Sequence, residues 1–368
     1  MSKKINKEDK LYEILNDVEI NLDEYSMEEF NELENKRIKK TLRGKLKMKN
    51  GLKKKSIIAA STVAVLGFTL LNTNVGVYAL DSIGTMAYNI SDALGIGRNL
   101  DDYKTVVNQV KVKNGISVKL DEVILNNDEL IVSYIAKSDV KLVKEYGHIS
   151  LFGHIWINGK SINSGAGGSS EKIDDHTVKG VTTYDLGDVK LSGDTDVKIK
   201  FYDAMLSGFE NEKLDKDGNT TPKEIKGPWT FEFKTNGDEL AIETEEFKLD
   251  DSFILPNGNK ITLNRMTRNK IGCKIYYSEE DLSKEEKGKT YDMLLKGTDN
   301  NGKKVEFYLS QSSNEGGVFV EDNLERNITK DTKSITLTSY AVAFPEESGK
   351  MSNDYKQIGE PFTINLEK

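Results

Sequence analysis

Cysteine occurs once, at Cys273, in a chain of 368 residues. No internal disulfide can form, and the residue between Ile271 and Ile275 reads as a small buried side chain. The three histidines, His148, His154 and His176, come with no second cysteine and no H-E-x-x-H spacing, which removes the usual zinc ligand sets. No G-x-S-x-G elbow places a base beside a serine. The glycines from Gly165 to Ser170 are followed by no P-loop Lys-Ser/Thr, so that stretch reads as a flexible loop. Asp215-Lys216-Asp217-Gly218-Asn219 has its glycine too early, and no closing Glu in place, for an EF-hand; it reads as a turn. These absences leave no catalytic residue, cofactor or metal site to expect, and the chain does not read as an enzyme.

Charge is missing from one place only. The protein carries 30% charged residues, yet Ser56 to Leu80 contains none. A bilayer needs roughly 20 apolar residues for one helical crossing, so residues 56–79 read as a transmembrane helix. Acids are missing from the preceding stretch: Lys36, Arg37, Lys39, Lys40, Arg43, Lys45, Lys47, Lys49, Lys53, Lys54 and Lys55 follow one another with none between them. Basic flanks stay on the cytoplasmic side, which puts the N-terminus inside and most of the chain outside. The rival reading is an export leader cleaved after Ala79, although the sequence ahead of the apolar run is long for a leader. The lysines suit contact with anionic lipid; without interleaved aromatics they give no expectation of direct nucleic-acid binding.

Residues 1–55 show helical periodicity and no strand alternation. Leu11, Ile14, Leu15 and Val18 fall on one helix face. Ser26-Met27-Glu28-Glu29 has the form of a capping box, opening a second helix that carries Phe30 and Leu33. Two short amphipathic helices bury too little surface to stand alone. They read as a docking segment in which Leu11, Ile14, Leu15, Val18, Phe30 and Leu33 are partner-binding anchors.

Beyond the apolar run, residues 80–103 read as a short juxtamembrane helical segment with Ile83, Met86, Ala87, Ile90 and Leu94 on one face. Then the period changes to two. Ile116, Val118 and Leu120, LIVSYIA at Leu130, HIWING at His154, VKIKFY at Val197 and WTFEF at Trp229 are short alternating runs bounded by turn residues. Such runs imply a mainly β protein of antiparallel sandwiches. NGISVKLDEVILNNDELIVSY from Asn114 has an echo in NGNKITLNRMTRNKIGCKIYY from Asn257, and GPWTFEFK from Gly227 has one in EPFTINLEK from Glu360. The repeat predicts two tandem sandwiches, residues 104–238 and 239–368. With a formal net charge of -8 and its bases gathered before the apolar run, the outer part is acidic. That suits a soluble surface module better than one that clings to polyanions.

A charged helical N-terminus, a Lys-rich flank, one span, a stretch ending near YNISDALGIG and the unit NGISVKLDEVILNNDELIVSY together resemble a family of Gram-positive single-pass membrane proteins. Its members carry an ectodomain of uncharacterised function, often with a second immunoglobulin-like unit. They occur beside extracytoplasmic-function sigma factors and are regarded as anti-sigma factors. The resemblance implies immunoglobulin-like sandwiches outside, a sigma factor as cytoplasmic partner and an unknown ligand or protein outside. It also implies release of the sigma factor after stepwise proteolysis near Asp81 to Leu100 and within the span. Many anti-sigma factors use a zinc-binding His/Cys helix motif, and residues 1–55 contain neither residue type, so a contact here would be metal-free. The alternative is a membrane-anchored or secreted cell-surface binding module with no signalling role.

Overall fold

Asn114 and Gly115 both take the left-handed backbone conformation, with φ of 49° and 77°. A two-residue hairpin turn of matching twist requires that conformation at both positions, and Asn-Gly tolerates it best. The turn closes β1 (Lys104–Lys113) onto β2 (Ile116–Leu125), which pairs in turn with β3 (Glu129–Ser138). Asn158 and Gly159 repeat the device, folding β4 (His148–Ile157) onto β5 (Lys160–Ile162). The computed structural model describes residues 83–367 except 97–98, 164, 188, 190, 214–215, 217–219, 283–288, 323–326 and 346–350. All of them belong to one unit, Ile58–Lys368.

The remaining strands of the first module are β6 (Ala166–Lys172), β7 (Thr177–Asp185), β8 (Thr195–Ser207) and β9 (Lys223–Thr235). They form two antiparallel sheets, ordered β1-β2-β3-β7-β6 and β5-β4-β8-β9. Between the sheets lies a core that includes Val118, Leu120, Val132, Ile155, Ile199, Phe201, Trp229 and Phe231. Alternate residues of each strand fill it, because successive side chains of a strand point to opposite faces. Trp229 is buried and donates its indole N–H to the Ile116 carbonyl at 3.1 Å, so its one polar atom is satisfied.

A short helix, α1 (Ile90–Ala93), precedes β1, and α2 (Asp238–Glu243) follows β9. The second module then runs β10 (Glu245–Lys248), β11 (Ser252–Ile254), β12 (Lys260–Arg268), β13 (Cys273–Glu280), β14 (Tyr291–Asp299), β15 (Lys304–Ser313), β16 (Gly316–Glu321), β17 (Ser334–Ala343), β18 (Lys356–Gln357) and β19 (Phe362–Asn365). Its strands join into a single sheet, β10-β12-β13-β16-β15-β14-β17-β18, with β11 on β12 and β19 on β17. That sheet encloses its own core, in which Cys273, Ile275, Leu295, Phe307, Phe319 and Leu337 are buried.

Laid side by side, the two modules share one pairing scheme. β1-β2-β3-β7-β6 corresponds to β10-β12-β13-β16-β15, and β4-β8-β9 to β14-β17-β19, in the same chain order. Both repeated hairpins carry a register shift, between Leu120 and Val123 in one and Leu263 and Arg265 in the other. The modules differ at one edge. In the second, β14 pairs with β15 and fuses the two sheets; in the first, β5 occupies the edge of β4 instead.

In the leading segment Asn89 caps the four-residue helix α1, and Gly95, at φ 64°, turns the chain straight after it. One sequence expectation is corrected. The glycine-rich stretch is not a loop: Ala166–Lys172 pairs along β7, which serves as its template. No helix among the described residues is long and apolar enough to cross a membrane. The span at 56–79, the cleavage position at Ala79, the helices of 1–55 with Leu11, Ile14, Leu15, Val18, Phe30 and Leu33, and most of the Asp215 turn lie outside the described residues.

Candidate functional site

Every residue of β2 is buried, although only alternate ones face the core. What covers its other face is the chain leading into β1, and the covering is built on charge. Lys119 pairs with Asp121 at 3.1 Å and donates to the Met86 carbonyl. Asp121 accepts the Tyr88 backbone N–H at 2.6 Å, and Glu122 accepts that of Ile90 at 3.2 Å. Backbone groups of alternate residues 86, 88 and 90, which join no strand ladder, are thus met by ionic side chains; buried backbone polar groups need such partners. Charged groups make stronger hydrogen bonds than neutral ones.

The register shift in β2 makes this arrangement possible. Leu120 and Val123 both enter the core, so the two residues between them, Asp121 and Glu122, both face outward. Strict alternation would send one carboxylate into the core; a bulge re-aims it. The second oxygen of Glu122 pairs with Lys104 at 2.7 Å, and Lys104 also pairs with Asp101 at 2.7 Å. Burial alone would lower the Lys104 ammonium, but hydrogen bonds with Asp101 and Glu122 outweigh it and hold the group above its ordinary range.

Around this ionic strip lies an apolar seam. Ile90, Ile96 and Leu100 of the leading segment, Ile124, Ile131 and Val181 of the first module, Leu240 of α2 and Ile271 of the second module form one buried cluster. Each full burial of such a side chain is worth about 1.5–3 kcal/mol. Beside it, Lys274 on β13 reaches across to Glu129 at 2.8 Å and Asp128 at 3.4 Å on the first module. The Tyr276 hydroxyl donates to Asp128 as well. Burial works against the Lys274 charge, yet the Glu129 and Asp128 carboxylates more than offset it and raise its pKa. Tyr103 packs at the same seam; burial first, then a hydrogen bond with Glu243 of α2, pushes its phenol up to about 12.

The leading segment, both modules and the connector α2 therefore meet at one place. Such a junction can transmit displacement, since a buried ionic strip holds one geometry until it is broken and then leaves its charges without partners. It holds no nucleophile paired with a base. Among the described residues no group of His, Cys, Asp and Glu could hold a metal ion. The three histidines sit apart, His148 on the Tyr146 carbonyl, His154 on Ser161 and His176 on the Ser138 carbonyl. The junction is hidden in the sequence because Lys119 and Asp121 alternate with the apolar Val118 and Leu120, the pattern of a strand with one solvated face. The cue present was the adjacent pair Asp121-Glu122, which breaks the alternation between Leu120 and Val123.

Comparison with known proteins matches two separate parts of the chain. Residues 47–138 match a domain of unknown function (DUF4179), and residues 244–366 match a family of unknown function (DUF5643). The first match runs from the lysine flank through β3, so the leading segment and its docking strands fall within one match. None of the curated proteins compared with the chain matches it. Among solved structures, the crystal structure of the conserved domain protein from Bacillus anthracis aligns with a TM-score of 0.54 at 15% identity, covering 74% of this chain and 95% of that one. At that identity the likeness speaks to the fold alone.

Proposed function

We propose that the chain is a membrane-anchored anti-sigma factor of the Gram-positive single-pass type, with two immunoglobulin-like modules outside the cell. Its cytoplasmic helices sequester an extracytoplasmic-function sigma factor through Leu11, Ile14, Leu15, Val18, Phe30 and Leu33, and its ectodomain senses an envelope signal. The observation that carries this reading is the docking of residues 83–103. The chain that follows the apolar run is tied by Asp121, Glu122 and Lys119 into the first module, and by Ile90, Ile96 and Leu100 into the seam with the second. A ligand that shifts either module acts directly on the segment that enters the membrane, and release of the docked segment opens it to proteolysis.

The test is co-expression of the full chain with a panel of extracytoplasmic-function sigma factors in a two-hybrid assay. One pairing is expected, lost in Leu15→Asp and in Phe30→Asp, while Asp121→Ala raises transcription from the cognate promoter. No interaction across the panel overturns the reading. Interaction and transcription that ignore Asp121→Ala leave sequestration standing and remove the docked segment as its control. An anchored surface-binding module with no signalling role is the second reading, favoured by an exposed aromatic face on β4 and β8.

A further inference from the structure

Phe152, His154 and Trp156 alternate along β4 and share the outer face of its sheet with Lys198, Lys200 and Tyr202 of β8. Phe152 is 55% exposed and Tyr202 41% exposed. Exposed aromatic rows are costly in a soluble module and commonly mark a binding surface. At one end of this row the sheet forms an open cleft of about 670 Å³ lined by Trp156, Asp196, Lys198, Glu232 and Lys234, together with Gly159, Val197 and Phe233.

The floor of the cleft is fixed. His154 meets the Trp156 ring edge-on at 4.9 Å, and Lys198 lies 5.7 Å from the ring centre on a face. The turn at Asn158 is pinned to β8 by two hydrogen bonds, Asn158 N–H to the Asp196 carbonyl at 2.8 Å and Asp196 N–H to the Asn158 side chain at 2.9 Å. The charged groups in the cleft come in balanced pairs, Lys198 with Glu232 at 3.0 Å and Lys234 with Asp196 at 2.8 Å.

The geometry points to a binding site for a neutral oligosaccharide. Lys198 and Lys234 are already neutralised by Glu232 and Asp196, so the cleft offers a polyanion no net positive charge, and the acidic outer part of the chain disfavours one further. An apolar ligand would strip water from four charged groups and give nothing back. A neutral polyhydroxylated ring fits both demands. Its C–H face covers the Trp156 indole, while its hydroxyls donate to Asp196 and Glu232 and accept from Lys198 and Lys234. Surface pairs of this kind are worth little on their own, so opening them for a ligand is cheap. The assignment rests on this surface and not on the regulatory reading, and either can fail without the other.

Two tryptophans are present, and Trp229 is 1% exposed in the core, so a ligand-dependent change in indole fluorescence reports on Trp156. Full-length protein in detergent micelles is titrated with chitotetraose, maltotetraose and, as the anionic arm, inorganic polyphosphate. A saturable change with at least one neutral tetrasaccharide is expected. By calorimetry that binding vanishes in Trp156→Ala, whose remaining Trp229 emission verifies the fold, and weakens about tenfold or more in Asp196→Asn and Glu232→Gln. No saturation with either sugar at millimolar concentration, binding unaffected by Trp156→Ala, or polyphosphate binding in preference to both sugars overturns the site.

Discussion

The Lys274 ammonium of the second module sits 2.8 Å from the Glu129 carboxylate of the first, and both are largely buried. A charge buried in this way is tolerable only while its partner is there. Lys274→Met is expected to destabilise the protein by about 3–5 kcal/mol, the usual cost of leaving a buried charge uncompensated. The double variant Lys274→Met with Glu129→Gln is expected to recover part of that loss, since a neutral pair has less to desolvate. Differential scanning calorimetry of the set checks this. Additive losses would mean that the two residues do not act as a pair.

The leading segment gives a local prediction. Asp121→Ala removes the acceptor for the Tyr88 amide and one partner of Lys119. Hydrogen bonds to charged groups contribute about 1.5–3 kcal/mol, so protection of the Tyr88 and Ile90 amides should fall by about ten- to hundredfold. Native-state hydrogen exchange reads this directly. The amides of Phe307 and Leu337, deep in the second core, should keep their protection, which separates undocking from global unfolding.

How much of this could be read from residues alone depended on whether a signal was local. Asn114-Gly115 and Asn158-Gly159 announce their hairpins because the turn chemistry is written in two adjacent residues. The alternation of Ile116, Val118 and Leu120 announces a strand in the same way. The echo between the Asn114 and Asn257 segments is matched by equivalent hairpins, β2-β3 and β12-β13. What depends on pairing between distant segments was hidden. Nothing in Ala166–Lys172 predicts a strand, since its place comes from β7 beside it. Nor does Ile90 reveal that it faces Glu122, because that contact spans two segments of opposite character. The fused sheet of the second module turns on whether β15 meets β14, a choice that no period-two pattern expresses. The residues of 1–55 expected to act as docking anchors fall outside the described residues, and the junction itself was disguised as an ordinary polar strand face.

Gly180 on β7 stands opposite Tyr134 on β3, and a methyl group added to it would lie 2.5 Å from the ring carbon bearing the hydroxyl. Tyr134 is buried in the first core, and its ring fills the space a side chain would take; burial pushes its phenol up to about 12. Gly180→Ala is therefore expected to cost about 1–3 kcal/mol through overpacking. Gly159→Ala, where the added atom meets open space but the backbone is left-handed at φ 77°, should cost less, about 1 kcal/mol, by straining the turn alone. Chemical denaturation of the two variants separates crowding from backbone strain. A larger loss in Gly159→Ala would contradict the packing argument.

Asp299, at the end of β14, holds the turn into β15 that fuses the second module's sheets. One carboxylate oxygen accepts the backbone N–H groups of Asn301 and Lys303, each at 2.8 Å. Burial acts to raise its pKa, but those hydrogen bonds outweigh it and hold the carboxyl below its ordinary range. A carboxyl depressed in the folded state stabilises the fold above its unfolded value, near 4, and that contribution fades as pH falls through the lower folded value. The turn should therefore be insensitive to pH from neutrality down to about 4 and loosen below it. Exchange rates of the Asn301 and Lys303 amides, corrected for intrinsic acid and base catalysis, should rise only on that acid limb. In Asp299→Asn they should be faster at neutral pH, because an amide oxygen is a weaker acceptor than a carboxylate. They should also lose the acid step, since nothing remains to titrate; an acid step that persists in Asp299→Asn would assign it to another carboxyl.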